Sequence, residues 1–240
     1  MVATIHNLTG AGNYAFHDAV AYPTVLMDGN FHLADLWHYQ NYPFFDGVDT
    51  HDVEEYDKYN LLNEITYGIQ TVDASSNSWI DKAFGKSFML RYVMGLIADV
   101  HNPMHTTNGF NSNHKEGDNW GHDYKLKGDH GTLFDLWDNS LGMFGKMSYP
   151  LQDISKVKEY AADITAEYNR DSLKTELKED SKKAWAVAAH DIAEASVYSV
   201  SENTLPSSEY LEKGRNLMRK QVALAAYRIV DQVVYMMGKQ

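Results

Sequence analysis

Apolar side chains in four long stretches of this chain recur every three, four or five residues, and no stretch alternates them every two. From about Ser76 to Val100 the repeat runs through Ile80, Phe84, Phe88, Val93, Leu96 and Val100. A second run holds Ile154, Val157, Ala161, Ile164 and Tyr168. A third, from about Ser172 through Val200, carries Trp185, Ala189, Ile192 and Val197, with Pro206 closing the segment after it. The last, Glu209 to Met237, presents Leu211, Leu217, Val222, Ala226, Ile229, Val233 and Met236. Such spacing aligns side chains on one face of a helix, which must be buried against another element. The reading is an all-α fold, one helical domain over residues 1–240, with shorter helices near Asp18, Leu61 and Leu136.

The chain contains no cysteine, which removes disulfides, thiolate metal ligands and cysteine nucleophiles together. Any metal must be held by His, Asp, Glu or backbone. With 33 acidic against 21 basic residues the net charge is −12, which argues against a broad electrostatic grip on duplex nucleic acid. A small site that borrows positive charge from metal ions remains open. No window approaches the ~20 apolar residues of a membrane span. The opening residues Met1 to His6 lack the basic and apolar regions of a secretory leader, so no signal peptide is expected in this sequence.

Glycine interrupts the helical pattern from Asn102 to Thr132, at positions 109, 117, 121, 128 and 131, which reads as a long loop with a short hairpin around Tyr124–Leu126. Here stand His101, His105, His114, His122 and His130, among Asp99, Asp118, Asp123, Asp129, Asp135 and Asp138. Imidazole and carboxylate together suit zinc and similar divalent metals, and a polar surface loop would show the same composition. Pro103 disfavours helical geometry at Asn102, so a helix ends there, with Asp99 in its last turn and His105 just beyond. A carboxylate at the buried end of an apolar helix needs a partner, either a metal or a cap or salt bridge.

The block Ala98-Asp99-Val100-His101-Asn102-Pro103-Met104-His105 resembles the Gly-Asp-x-His-Gln-Pro-Leu-His motif of the class I zinc nucleases, the fungal single-strand and plant bifunctional enzymes whose fold is shared by zinc-dependent bacterial phospholipase C. Gly117 to Leu126 is similar to that family's Gly-Asp-x-Gly-Gly-Asn segment, and Leu133-Phe134-Asp135-Leu136-Trp137-Asp138 to its Asn-Leu-His-x-x-Trp-Asp. Upstream, Phe16 to Val20 and Trp37 to Asn41 are similar to its Trp-Ala-Asp-x-Ile and His-Tyr-x-Asn/Asp elements, so the resemblance spans about residues 14 to 238. It implies a helical nuclease fold, zinc as cofactor, and hydrolysis of single-stranded RNA and DNA to 5′-phosphates. It implies further that Asp18, His38 and Asp99 ligate one buried zinc, Asp99 bridging to its neighbour and acting with Asp18 in catalysis. His105 and Asp138 would belong to a third ion, and Asn139 matches a nucleobase-contacting position. Tyr39, with Trp37, Phe44 and Phe45, is either a core or rim aromatic or part of a stacking platform for the substrate strand. Secretion is the family setting.

The resemblance breaks where the family has a histidine four residues before each of two aspartates: those slots are Gly95 and Phe134. The family also uses an N-terminal tryptophan, and this chain has none before Trp37. Fewer than three zinc ions are therefore expected, with His122 or His130 as substitute ligands, or none at all. Two classes follow: a divergent zinc-dependent phosphodiesterase acting on single-stranded nucleic acid or nucleotides, or a catalytically inactive member serving as a structural or binding protein through protein partners or self-assembly.

Overall fold

A computed structural model describes residues 20–29, 32–53, 59–73, 82–145, 151 and 154–238. Among these the chain is mostly helical, as the apolar spacing requires. Helix α1 (Tyr22–Asp28) begins with Pro23 in its first turn, where a missing N–H costs nothing. Helices α2 (Leu61–Asp73) and α3 (Lys82–Asp99) pack along their length, Gly68 leaving the room that the Val93 side chain fills. Helix α4 (Leu133–Asp138) is short and starts in a capping box, Thr132 and Asp135 each accepting from the other's backbone N–H. Helices α5 (Ser155–Glu167), α6 (Lys182–Ala195) and α7 (Ser208–Gly238) complete the set.

Three apolar clusters make the core. The largest joins α2 and α3 to α7 through Leu61, Ile65, Leu96, Ile97, Val233 and Met236. The second surrounds Trp137, which is fully buried and donates its indole N–H to the Tyr210 hydroxyl at 2.7 Å. The third seats Ile164 of α5 against Leu224 of α7.

Two departures from the sequence reading matter. The run from Ser172 to Val200 is not one helix: residues 182–195 are helical, flanked by separate 3₁₀ turns at Glu176–Lys178 and Val197–Ser199. Ser181 caps α6 by accepting from the Ala184 N–H, which fixes its start well after Ser172. The second departure is a parallel strand pair, β1 (Tyr42–Phe45) and β2 (Thr107–Phe110), in the register Tyr42↔Thr107 to Phe45↔Phe110. β2 lies inside the segment read as a loop, and all four of its residues are buried. Four-residue strands are too short to show alternation, and in β2 burial on both sides erases it. The hairpin near Tyr124 reduces to one antiparallel bridge, Lys125↔Thr132.

Candidate functional site

The parallel pairing builds the site. Each strand is preceded by a 3₁₀ turn that ends in a histidine, Asp35–His38 before β1 and Pro103–His105 before β2. Pairing the strands therefore sets the two histidines side by side. The Gln40 N–H donates to the His105 carbonyl at 2.8 Å, and His105 Nδ1 donates back to the His38 carbonyl at 2.8 Å. Asn102 takes an extended backbone (φ −90°, ψ 122°), as the residue before a proline must, and its side-chain oxygen accepts from Met104 N–H. Helix α3 ends at Asp99, so that carboxylate faces the turn.

Each histidine meets one aspartate. His38 Nδ1 lies 2.7 Å from Asp99 Oδ2, and His105 Nε2 lies 3.0 Å from Asp138 Oδ1. Asn102 Nδ2 donates to the same Asp138 oxygen at 2.9 Å, tying the end of α4 to the turn after α3. Burial alone would lower the pKa of His105, but the charges of Asp99 and Asp138 outweigh it and hold the imidazole up at about 9. Burial would raise that of Asp138, and its bond to His105 lowers it instead.

Aromatic rings frame the second pair. Tyr39 stacks on His105 with ring centroids 5.2 Å apart and planes 9° apart, and Trp120 tilts against Tyr39 at 4.7 Å. The Tyr39 hydroxyl donates to His122 Nε2 at 3.1 Å, and His122 lies on Phe134 with centroids 3.8 Å apart. Phe134 is also 5.2 Å from the His105 ring. An apolar ring thus occupies the rim where the family pattern has an imidazole. The Gly95 slot is closed differently. A Cβ on Gly95 would lie 2.7 Å from Pro23 Cγ and 3.1 Å from the Val20 carbonyl, so α1 sits where a side chain would go.

The candidate residues divide accordingly. His38, Asp99, His105 and Asp138 come together, with Tyr39 and His122 beside them. Asn139 ends α4 next to Asp138 and shares with His130 and Arg215 the wall of a cavity of about 630 Å³. Asp18 lies outside the described residues. The remaining loop histidines are employed elsewhere. His101 is buried, accepting from Arg228 at 2.7 Å and donating to the Ile97 carbonyl at 2.6 Å, and burial with the adjacent guanidinium drives its pKa down to about 3. His114 faces Glu202 at 3.3 Å. Asp118 is wholly buried and accepts from Gly109 N–H, Gly121 N–H and the Tyr198 hydroxyl, each at 2.9 Å, which shapes the glycine-rich segment.

Imidazole nitrogen and carboxylate oxygen are the donor chemistry that zinc prefers. His105 has the arrangement of a metal-binding histidine, one ring nitrogen fixed by a backbone carbonyl so that the other points at the site. Among the described residues His38 Nε2 is buried without a hydrogen-bond partner, as are Asp35 Oδ1 and Tyr92 Oη. The set fits as two-donor halves; among the described residues no group of three or more His, Asp or Glu converges.

The chain belongs to the S1/P1 nuclease family: the family model described as S1/P1 Nuclease matches residues 5–234. Membership assigns it to nuclease-type phosphodiesterases, a family that is generally zinc-dependent and acts on nucleic acid. No curated protein matches the sequence. Among the described residues no helix is long and apolar enough to cross a membrane.

Proposed function

We propose that the protein is a zinc-dependent phosphodiesterase that cleaves single-stranded RNA or DNA to 5′-phosphate products with fewer than three zinc ions. The observation that carries this reading is the linked double pair: His38 with Asp99, and His105 with Asp138, joined by the bond from His105 Nδ1 to the His38 carbonyl. His38, Asp99 and Asp18 would hold one ion, and His105 and Asp138 a second, with His122 or His130 completing it. Bound zinc supplies Lewis-acid stabilisation of charge on the attacked phosphoryl group and acidifies water near neutral pH. The chain's own residues do the rest. Asn102 fixes the Asp138 carboxylate, the His38 carbonyl fixes the His105 ring, and the half-buried Tyr39 would offer ring surface to an unpaired base beside His105. A net charge of −12 leaves no broad basic surface, so capture of a phosphodiester falls to the site itself.

One observation favours a second reading. Gly95 and Phe134, standing where the family has histidines, favour a family member that has kept the scaffold and lost the chemistry, a structural or binding protein. Metal content of protein purified without chelator and dialysed against trace zinc separates the two, followed by hydrolysis of single-stranded oligonucleotides. One or two tightly held zinc ions with cleavage to 5′-phosphates is the expected result. No retained zinc and no cleavage by folded protein would establish the second reading.

A further inference from the structure

The side of His38 turned away from Asp99 holds unfinished hydrogen bonding. The two nitrogens of an imidazole point apart, so with Nδ1 at 2.7 Å from Asp99 Oδ2, Nε2 looks the other way, and it is buried without a partner among the described residues. Asp35 Oδ1 and the Tyr92 hydroxyl are in the same condition. The local fold brings the three into one neighbourhood. Asp35 and His38 are the first and last residues of a single 3₁₀ turn, on which side chains three apart eclipse. Tyr92 stands two turns before Asp99 on the same face of α3, its ring centroid 6.3 Å from that of His38. Burial first, then the Tyr22 hydroxyl and the Asp35 charge, push the Tyr92 hydroxyl up to about 12, which sets Asp35 within electrostatic reach of it and keeps it a neutral donor. Asp35 itself runs from surface to interior, Oδ2 meeting His32 Nδ1 at 3.1 Å while Oδ1 is buried. Three buried polar atoms left unpaired in one place are costly, which calls for a group that pairs with all of them.

We propose that one buried water joins Asp35 Oδ1, the Tyr92 hydroxyl and His38 Nε2, and that Asp35 is thereby the positioning residue that holds His38 Nδ1 toward the zinc site. The consequence for zinc rests on the zinc-dependent phosphodiesterase reading; the water does not. A buried water takes about two to four polar partners, and three stand here. The hydrogens balance. With Nδ1 given to a metal, Nε2 carries the imidazole hydrogen, so His38 and Tyr92 each donate to the water oxygen and the water donates to Asp35. A ligating histidine characteristically gives its second N–H to a carboxylate, a carbonyl or a water, which fixes the ring and makes it a better ligand. His105 does so directly, through the His38 carbonyl at 2.8 Å. His38 has no such direct partner among the described residues, and the water with Asp35 supplies it. A carboxylate on the Nε2 side stands behind the histidine, so Asp35 is a partner of His38 and not a further donor to an ion at Nδ1.

A high-resolution crystal structure of the metal-free protein tests the water first, and should show it in hydrogen-bond contact with all three atoms. Zinc titration against a competing chelator then reads the positioning role. Asp35→Ala should weaken binding by about 100-fold and Asp35→Asn, which still accepts from the water but lacks the charge, by about tenfold, with the number of ions held unchanged. Tyr92→Phe, which removes the hydroxyl alone, should also cost about tenfold. In zinc-loaded protein with isotope-labelled histidine, NMR should find the His38 Nε2 proton exchanging slowly in the wild type and fast in Asp35→Ala, while the His105 Nδ1 proton stays slow in both. A merely structural role for Asp35 would instead move both protons together with the unfolding midpoint. Absence of the water, a zinc affinity that none of the variants changes, or loss of one whole ion in Asp35→Asn, which would make Asp35 a ligand, would overturn the proposal. The water found in a wild-type protein that takes up no zinc would remove the zinc reading and leave the linked Asp35, Tyr92 and His38 standing.

Discussion

The two halves of the site lost their expected histidines in different ways. Behind His38 and Asp99 the slot is Gly95, and the space is filled by another helix: Pro23 and the Val20 carbonyl stand where a Cβ would be. Beside His105 and Asp138 the slot is Phe134, a side chain of imidazole-like outline in a stack of rings. The first loss is built into the packing of α1 on α3. The second is a single side-chain change at a rim. One half of the site is therefore closed to restoration and the other is open to it.

Gly95→His is the harshest test of that contrast. Forcing an imidazole between α3 and α1 should destabilise the protein by about 3 kcal/mol, the upper end for overpacked cores. A drop of roughly 2–4 °C in the unfolding midpoint for each kcal/mol would show it. Zinc content should not rise. A variant that folds normally and takes up more zinc would mean that α1 yields, and the contrast would be gone.

Asp99→Asn acts on the buried half without changing its size. The substitution removes the charge that faces His38 at 2.7 Å and should weaken zinc binding by at least about 10–100-fold, since losing a group that merely orients a ligated histidine already costs that much. Oligonucleotide hydrolysis should fall in parallel. Full retention of zinc would leave Asp99 as a partner of His38 alone and move the metal reading to the other pair.

At the open half, Phe134→His should raise zinc affinity, by about tenfold, since a third donor beside His105 and Asp138 brings the group to the number a zinc site requires. Titration with zinc in competition with a chelator measures it. No gain would mean that the position-134 side chain is held toward His122 rather than toward the His105–Asp138 pair.

Much of this was legible in the sequence, and the reasons for the rest are physical. Helix α7 announces itself because burial on one face imposes a period over many residues, while α3 is legible from its long apolar run, residues 92–97 being buried on every side. The stop at Asp99 was readable from Pro103, a local steric effect. The pairing of His38 with His105 was not, because it depends on four-residue strands with neither the length nor the exposure to show a pattern. His101 looked like His105 in the sequence, two histidines flanking one proline. Only Arg228, 127 positions away, makes it a structural residue, and no local signal links the two.

The pH response sharpens the comparison in its mildest form. In chelated protein His105 is held protonated up to about 9 by Asp99 and Asp138, against an ordinary value of about 6.5. A histidine whose pKa is raised by folding adds stability in full below about pH 6.5 and loses it as the pH rises through about 9. Asp138 works in the opposite sense in acid, where its lowered pKa adds stability above the ordinary carboxylate value and loses it as the pH falls through the lower one. Thermal unfolding in the presence of chelator should thus decline between about pH 6.5 and 9 in the wild type and lose that slope in His105→Gln. Zinc must displace the His105 proton, so its affinity for the open half should climb over the same range, with proton release visible as a buffer-dependent heat of binding. A zinc affinity flat from pH 6.5 to 9 would show that the ion is carried by the buried half alone.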